Sequence, residues 1–336
     1  MNIFKTINEL QQFRGIRGSA VTIGNFDGCH LGHEALFEGL KVKGSSKSDL
    51  RIAITFYPHP AVALGAKHPI KLIQSIKDRQ SCLQEAGFDV LLQLEFTAEF
   101  RNLSSDDFIK RYLVDGCGAK RVVVGDDFCF GKNRGGTISH LQDAAKVNGF
   151  DVVVVPPVIA AGHHRVSSTL IRKLIGESGD LQLASTLLGR PWTFCGDVIQ
   201  GDKIGRTIGF PTANLDLGEI VVPSCGVYAG WLYPDAIEAV LGKKGSFAKS
   251  PVVMNIGRRP TVSQAAAVRV EVHVLRESSG STPSAADFDL YGKTLRIEPV
   301  KKLRDEVKFS TVDELKKQIS IDCKNTLSLL MEKNLG

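Results

Sequence analysis

The sequence predicts an α/β chain in two parts, a doubly wound parallel sheet followed by an antiparallel β-barrel with a terminal helix. Three observations carry this expectation. At 336 residues the chain is too long for one ordinary core. Through its first half, strand-like apolar runs alternate with helical patterns, as in a parallel sheet covered on both faces. From Phe194 onward the pattern changes to short β-rich runs separated by polar turns without intervening helices, which suits a barrel.

Composition narrows the function classes. With 43% hydrophobic and 23% charged residues this is an ordinary globular chain. Its net charge of +6 is spread without a basic block and fits small anionic substrates. No reader motif or aromatic-basic interleaving occurs, so no nucleic-acid partner is expected. The seven cysteines are dispersed and include no Cys-x-x-Cys pair, which indicates neither a disulfide framework nor a zinc site and points to a cytoplasmic location. Met1–Gly15 has no apolar signal core, and no run approaches the roughly eighteen apolar residues that span a bilayer, so no membrane partner is expected. An oligomer is compatible with these features and is not read from them.

The first half is organised around Val21–His33. The run Val21, Thr22, Ile23 leads into the turn Gly24, Asn25, Phe26, Asp27, Gly28, Cys29 and then into His30, Leu31, Gly32, His33, where the apolar spacing becomes helical. Unpaired N–H groups at a helix start, together with the positive end of its dipole, form an anion site. His30 and His33 share one face of that first turn. The turn lacks the Lys and Ser/Thr of a P-loop and the glycine spacing of a dinucleotide site. Cys29, inside the motif, is either a thiol-sensitive position or an inert thiol.

A helix over Glu34–Val42 and a strand over Arg51–Phe56 follow, the strand ending at Tyr57, Pro58, His59, Pro60. Ligands of open parallel sheets bind at that carboxyl edge, although a histidine between prolines is also an ordinary loop residue. Ser75–Ala86 reads as helix, Val90–Leu94 as strand, and Ser104–Leu113 as helix with Ser104 at its N-cap. The strand Lys120–Gly125 delivers Asp126, Asp127 and Phe128 into a charged, turn-rich segment suited to a substrate loop. After the strand Asp151–Val155 come Ser167, Ser168 and Thr169, hydroxyls at a helix start that can donate to phosphate, and Arg172, placed to clamp a second phosphate. An isolated Ser/Thr run of this kind is most often only an N-cap.

Gly176–Leu188 reads as the join between domains 1–185 and 186–336. Strands are expected over Phe194–Ile199, Gly226–Tyr233, Val252–Ile256, Val268–Leu275 and Thr294–Val300, with a helix over Val312–Met331. Between the first two strands lies the segment Gly201–Asn214. Its Gly201, Gly205 and Gly209, with Lys203 and Arg206, can wrap phosphates, and beyond Pro211 the side-chain oxygens of Thr212 and Asn214 can help hold Mg²⁺. By composition alone it could equally be a hairpin loop. Glu271 lies on the strand face opposite Val270 and Val272, either as an inward-facing carboxylate or as an exposed residue paired with Arg269.

Taken in order, these strings resemble one family. His-x-Gly-His after Gly-x-Phe-Asp-Gly, followed by Ser-Ser-Thr-x-x-Arg, resembles the nucleotidyltransferase superfamily, and in particular the FAD synthetase module of bacterial bifunctional riboflavin kinase/FAD synthetases. Thr-Phe-x-Pro-His-Pro and Gly-x-Asp-Phe-x-Phe-Gly-x-x-Arg are elements of the same family. Gly201–Asn214 resembles its riboflavin kinase signature, and Gly226–Ala229, Asn255–Thr261 and Glu271 follow in the family's order.

The resemblance implies a Rossmann-like nucleotidyltransferase domain and a riboflavin kinase barrel. It implies phosphorylation of riboflavin by ATP to FMN, then adenylylation of FMN to FAD with release of pyrophosphate, with Mg²⁺ as cofactor. His30, His33 and Arg172 would act on phosphates, Glu271 as the base, Thr212 and Asn214 on Mg²⁺-ATP, and His59 and Asp127 in binding. Leu275–Asp287 and Pro234–Ser250 depart from the pattern as longer connections. Three alternatives stand beside this reading: an enzyme retaining one of the two activities, a flavin-binding regulatory protein without turnover, and an aminoacyl-tRNA synthetase. The last shares the histidine motif, but the chain has no Lys-Met-Ser-Lys-Ser-like loop.

Overall fold

The structure is a computed structural model that describes residues 1–13, 18–41, 49–63, 70–160, 162–201, 204–235, 249–258, 268–275 and 290–333. Contacts divide the chain into two compact units, one formed by Met1–Lys71 and Ile76–Ser168, the other by Leu72–Ser75 and Thr169–Gly336.

Among the described residues, six strands of the first unit form one parallel sheet: β1 (Asn2–Phe4), β2 (Ser19–Ile23), β3 (Leu50–Tyr57), β4 (Val90–Glu95), β5 (Ala119–Gly125) and β6 (Asp151–Val155). Their order is β1-β4-β3-β2-β5-β6. Side chains alternate between two apolar layers, as a period of two requires. Val21, Ile52, Ile54, Leu92, Val122 and Val124 face one layer with Phe108 and Leu141, while Ala20, Ala53, Leu91 and Val123 face the other with Phe37 and Leu83. Both faces are covered, so the central strands read as nearly continuous apolar runs.

The helices α1 (Leu31–Gly39) and α2 (Ile76–Glu85) contribute Phe37 and Leu83, and α3 (Ile138–Asn148) contributes Leu141 to the opposite layer. From β2 the chain passes to β3 on one side, and from β4 it crosses to β5 on the other. The carboxyl ends of β2 and β5 therefore flank a topological switch point, where open α/β sheets bind ligands.

A two-stranded ribbon, β7 (Ile159–Ala160) and β8 (His164–Arg165), precedes α4 (Ser168–Lys173) and α5 (Leu181–Leu188). Asp180 caps α5 by accepting from Leu183 N–H at 2.9 Å, and Gly189 ends it in the left-handed region. In the second unit, β9 (Phe194–Ile199), α6 (Ile204–Thr207), β10 (Ala213–Asp216), β11 (Gly226–Leu232), β12 (Ser250–Arg258), β13 (Val268–Val274) and β14 (Thr294–Arg304) follow. Among the described residues the strands close an antiparallel barrel in the order β10-β13-β12-β11-β14-β9.

The terminal helix α7 (Val312–Lys333) packs Cys323 and Leu327 against Val227, Val253, Leu275 and Leu303. Arg304 forks onto its buried Asp322. Leu72–Ser75 belongs to this unit because Leu72 pairs with the backbone of Glu219 and Val221, and Trp192 Nε1 donates to Ile73 O at 3.0 Å.

Several details differ from expectation. Helix α1 starts at Leu31 because His30 caps it. Ser104 is a cap as expected, but the helix behind it divides into Ser105–Phe108 and a wider π-type turn over Ile109–Val114. The short α6 lies inside the segment read as a phosphate loop and strand β10 begins within it, where polar site residues mask the β pattern. Most of both longer connections, Lys203, Arg259–Thr261 and the Arg206 side chain lie outside the described residues. Among the described residues no helix is long and apolar enough to cross a membrane.

Candidate active sites

The turn after β2 is tightly coiled. Phe26, Gly28 and Cys29 all have positive φ, at 49°, 92° and 39°. For Phe26 and Cys29 this is strained backbone, held because both side chains are completely buried. Gly24 is required here, since a Cβ at that position would lie 2.9 Å from the Phe26 ring. Phe26 in turn meets the edge of His33 at 5.4 Å and packs against Phe37 at 5.6 Å.

His30, 6% exposed, is the N-cap of α1, and its Nδ1 accepts from the His33 N–H at 3.3 Å. With Nδ1 accepting, the proton of a neutral His30 ring sits on Nε2. The two imidazoles stack with centroids 3.7 Å apart and planes 12° apart. Asp27 is fully buried, and its carbonyl accepts from Ser168 Oγ at 2.8 Å, which joins two motifs 141 residues apart. Arg79 of α2, also buried, brings Nη2 to 4.0 Å from Asp27 Oδ1. Sequence reasoning missed Arg79, because one cation in a polar helix reads as a solvated residue.

At the switch point the fold forms an open cavity of about 680 Å³. Gly24, Asn25, His30, His33, Asp127, Ser167 and Ser168 line its polar side. Its apolar side is an aromatic wall of Phe56, Phe96, Phe100, Phe108, Phe128 and Phe130, with the last two rings stacked at 5.3 Å. Phe96, Phe100 and Phe108 lie in no motif, and Phe56, although it is the aromatic residue of Thr-Phe-x-Pro-His-Pro, was not foreseen as part of a wall. Asp127 is exposed and pairs at 3.2 Å with Arg165, which also bonds Asp126 at 2.9 Å.

His59 Nδ1 accepts from Ala61 N–H at 3.2 Å and so caps the helical turn Pro60–Ala63; Pro60, not His59, lines the cavity. Thr169 and Arg172 follow on α4. Cys29 is buried in the core, whereas Cys129 is exposed and borders the cavity.

The second site lies on the barrel. Asn214 stands directly opposite Glu271 across β10 and β13, and Asn255 flanks Glu271 from β12. Strand alternation sends Val270 and Val272 into the core and leaves Arg269, Glu271 and His273 on the other face. Arg269 Nε donates to Asn214 Oδ1 at 2.6 Å, and its Nη2 pairs with Glu271 Oε1 at 2.8 Å. The plain pairing considered for Glu271 is therefore present within the same array as the register partner.

Gly201 is packed on the Asn214 amide, and a Cβ at Gly205 would fall 2.4 Å from Phe210 O and 3.1 Å from Thr212 Oγ1. Gly209 adopts φ 89°, which suits glycine. His273 Nδ1 donates to Pro211 O at 2.7 Å, and burial holds its imidazole below the usual pKa. The fold thus gathers Gly201, Gly205, Gly209, Pro211, Thr212, Asn214 and Glu271 around one patch. Thr212 and Asn214 supply two neutral oxygen donors. That set suits Mg²⁺, which takes few protein ligands and completes its shell with water and substrate phosphates.

Comparisons with known proteins agree with this division. A sequence model of the FAD synthetase family matches residues 14–170, and one of riboflavin kinase matches residues 188–330. A bifunctional riboflavin kinase/FMN adenylyltransferase of Escherichia coli (strain K12) is 38% identical over 326 residues, covering 96% of each chain. One from Haemophilus influenzae is 36% identical over 309 residues, covering 92% of this chain and 93% of that protein. Among solved structures, one from Streptococcus pneumoniae described as a macrolide-efflux protein is similar with a TM-score of 0.77 at 28% identity, over 97% of this chain and 99% of that one. The chain belongs to the family of bifunctional riboflavin kinase/FMN adenylyltransferases, its parallel-sheet part matching FAD synthetase and its barrel part riboflavin kinase.

Proposed function

We propose that this chain makes FMN from riboflavin and ATP at the barrel site and FAD from FMN and a second ATP at the switch point. The observation that carries this reading is the meeting, in one cavity, of the His30–His33 stack, the Ser167 and Ser168 hydroxyls and the aromatic wall, drawn from distant parts of the chain. We assign residues 1–185 to the adenylylating module, so that the whole Ser167–Arg172 motif falls within it, and 186–336 to the kinase module. A cytoplasmic location suits a chain whose described cysteines are all free thiols.

In the kinase step a riboflavin hydroxyl attacks the γ-phosphorus of ATP, the bond to ADP breaks, and Glu271 takes the hydroxyl proton. Gly201, Gly205, Gly209 and Pro211 shape the loop around the phosphates, and Lys203 and Arg206 are the cations assigned to phosphate binding. Thr212 and Asn214 would hold Mg²⁺, which when bound neutralises phosphoryl charge. In the second step an FMN phosphate oxygen attacks the α-phosphorus of ATP and pyrophosphate leaves. That nucleophile is already an anion and needs no strong base.

Catalysis of adenylyl transfer is alignment plus charge stabilisation by His30, His33, the N–H groups at the start of α1, and Arg172. Gly24, Asn25, Phe26, Asp27 and Gly28 hold the turn, and Ser167, Ser168 and Thr169 donate to phosphate. Asp127 belongs to the nucleotide and flavin edge of the site, whereas His59 acts only indirectly, by capping the turn that carries Pro60 to the cavity. The aromatic wall offers the flavin ring a stacking surface.

The test is a chromatographic time course with riboflavin, ATP and Mg²⁺. FMN should appear before FAD. Glu271→Ala should fail to make FMN yet convert added FMN, and the double variant His30→Ala, His33→Ala should stop at FMN. A wild-type enzyme that stopped at FMN would leave the first module as scaffold, and one that made neither flavin would sink the reading.

A further inference from the structure

We infer that Arg269 is a placeholder cation of the kinase site, holding Asn214 and Glu271 in the ligand-free chain and releasing both when the metal arrives with its nucleotide. The inference rests on the kinase reading above. Arg269 and Glu271 are two residues apart on the same face of β13, and Asn214 opposes Glu271 from β10. The guanidinium spans the pair, with Nε on Asn214 Oδ1 at 2.6 Å and Nη2 on Glu271 Oε1 at 2.8 Å. A guanidinium has donors and no acceptor, so each contact takes a lone pair from its partner. The oxygens engaged here are the ones that phosphoryl transfer needs, one as a metal ligand and one as a proton acceptor.

Charge gives this arrangement a direction. A cation within hydrogen-bond distance of a metal ligand repels a bare divalent ion. A metal carried by a triphosphate brings negative charge that reverses the balance, and phosphate oxygens are better partners for the guanidinium than an amide. Arg269 is one-quarter exposed, so it can exchange partners without disturbing the apolar layer beneath β13. Arg269 therefore makes the metal enter with its nucleotide and keeps the empty site from collecting free metal. It also holds the side chains of Asn214 and Glu271 in place until the substrates arrive.

Mn²⁺ binding to the full-length chain without nucleotide, followed by electron paramagnetic resonance, tests this directly. Arg269→Gln should bind Mn²⁺ at least about tenfold more tightly than the wild type, the scale of one unit charge acting on a divalent ion across a few ångströms of water-like medium. Arg269→Lys, which keeps the charge, should stay near the wild-type value. The gain should vanish in Arg269→Gln combined with Asn214→Ala, and Arg269→Gln should show a raised KM for ATP in FMN formation. If Arg269→Gln does not melt like the wild type, Arg269→Met serves as the neutral variant. Unchanged Mn²⁺ binding in the neutral variant, or equal gains in the neutral and Lys variants, overturns the placeholder while FMN formation keeps the kinase reading intact. A gain that survives Asn214→Ala overturns both the placeholder and the metal assignment.

Discussion

Gly201 lies so close to Asn214 that a methyl group added at Gly201 would fall 2.0 Å from Asn214 Nδ2. Contact at that distance forces the amide out of its place opposite Glu271. Gly201→Ala is expected to slow FMN formation by about a hundredfold, the scale of a misplaced group in an aligned site. Conversion of added FMN to FAD by the same preparation should stay within about twofold of wild type. Equal loss of both steps would mean general misfolding.

His30 both caps α1 and stacks on His33. Asparagine is as good a cap but has no imidazole, so His30→Asn separates the two roles. FAD formation should fall by roughly 10²–10³, the usual loss when one charge-stabilising donor is removed, with the melting temperature unchanged. His30→Ala should cost the same activity and about 1 kcal/mol of stability from the lost cap.

Thiol reagents should stop the second reaction and spare the first. Cys129 is exposed at the cavity, while Cys29 is buried and burial pushes the Cys117 thiol up to about 12. Mild alkylation is expected to leave FMN accumulating, with added FMN slowing the inactivation and Cys129→Ser abolishing it. Peptide mapping that found the label on another cysteine would reject this assignment.

The barrel should lose stability as the solution is acidified through the histidine range. Desolvation lowers the pKa of His273 from its ordinary 6.5, against a smaller opposite pull from the Pro211 carbonyl. The folded state thus prefers the neutral ring, and below pH 6.5 the unfolded chain takes up a proton that the folded chain refuses. The contribution is complete above pH 6.5 and is lost progressively toward the lower folded-state value. Melting curves between pH 7.5 and 5.5 should show this decline, and His273→Gln should flatten it.

What could be read from the sequence was local. Strand and helix periodicities in the first unit follow from which side chains meet apolar layers, and every strand of that sheet from β2 to β6 lies where an apolar run predicts it. The glycines and hydroxyls of the site motifs were legible because a tight turn or a helix start demands those residue types within a few positions. β10 was not legible, since its four residues include the site residue Asn214 and are too few to show alternation.

The sequence by itself therefore determined the two-part α/β and barrel plan, the His30–His33 turn, the Ser167–Arg172 helix start and the Gly201–Asn214 segment. Only the tertiary structure decided which of these meet. The Ser168 bond to the Asp27 carbonyl, the buried Arg79 behind Asp27, and the wall of phenylalanines from five separate segments have no local signature. The same holds for Asn214 facing Glu271 with Arg269 across them. The physical reason is that local backbone preferences act over a few residues, whereas strand register and burial are set by how the closed sheet and barrel pack, and those contacts join residues that are far apart in the chain.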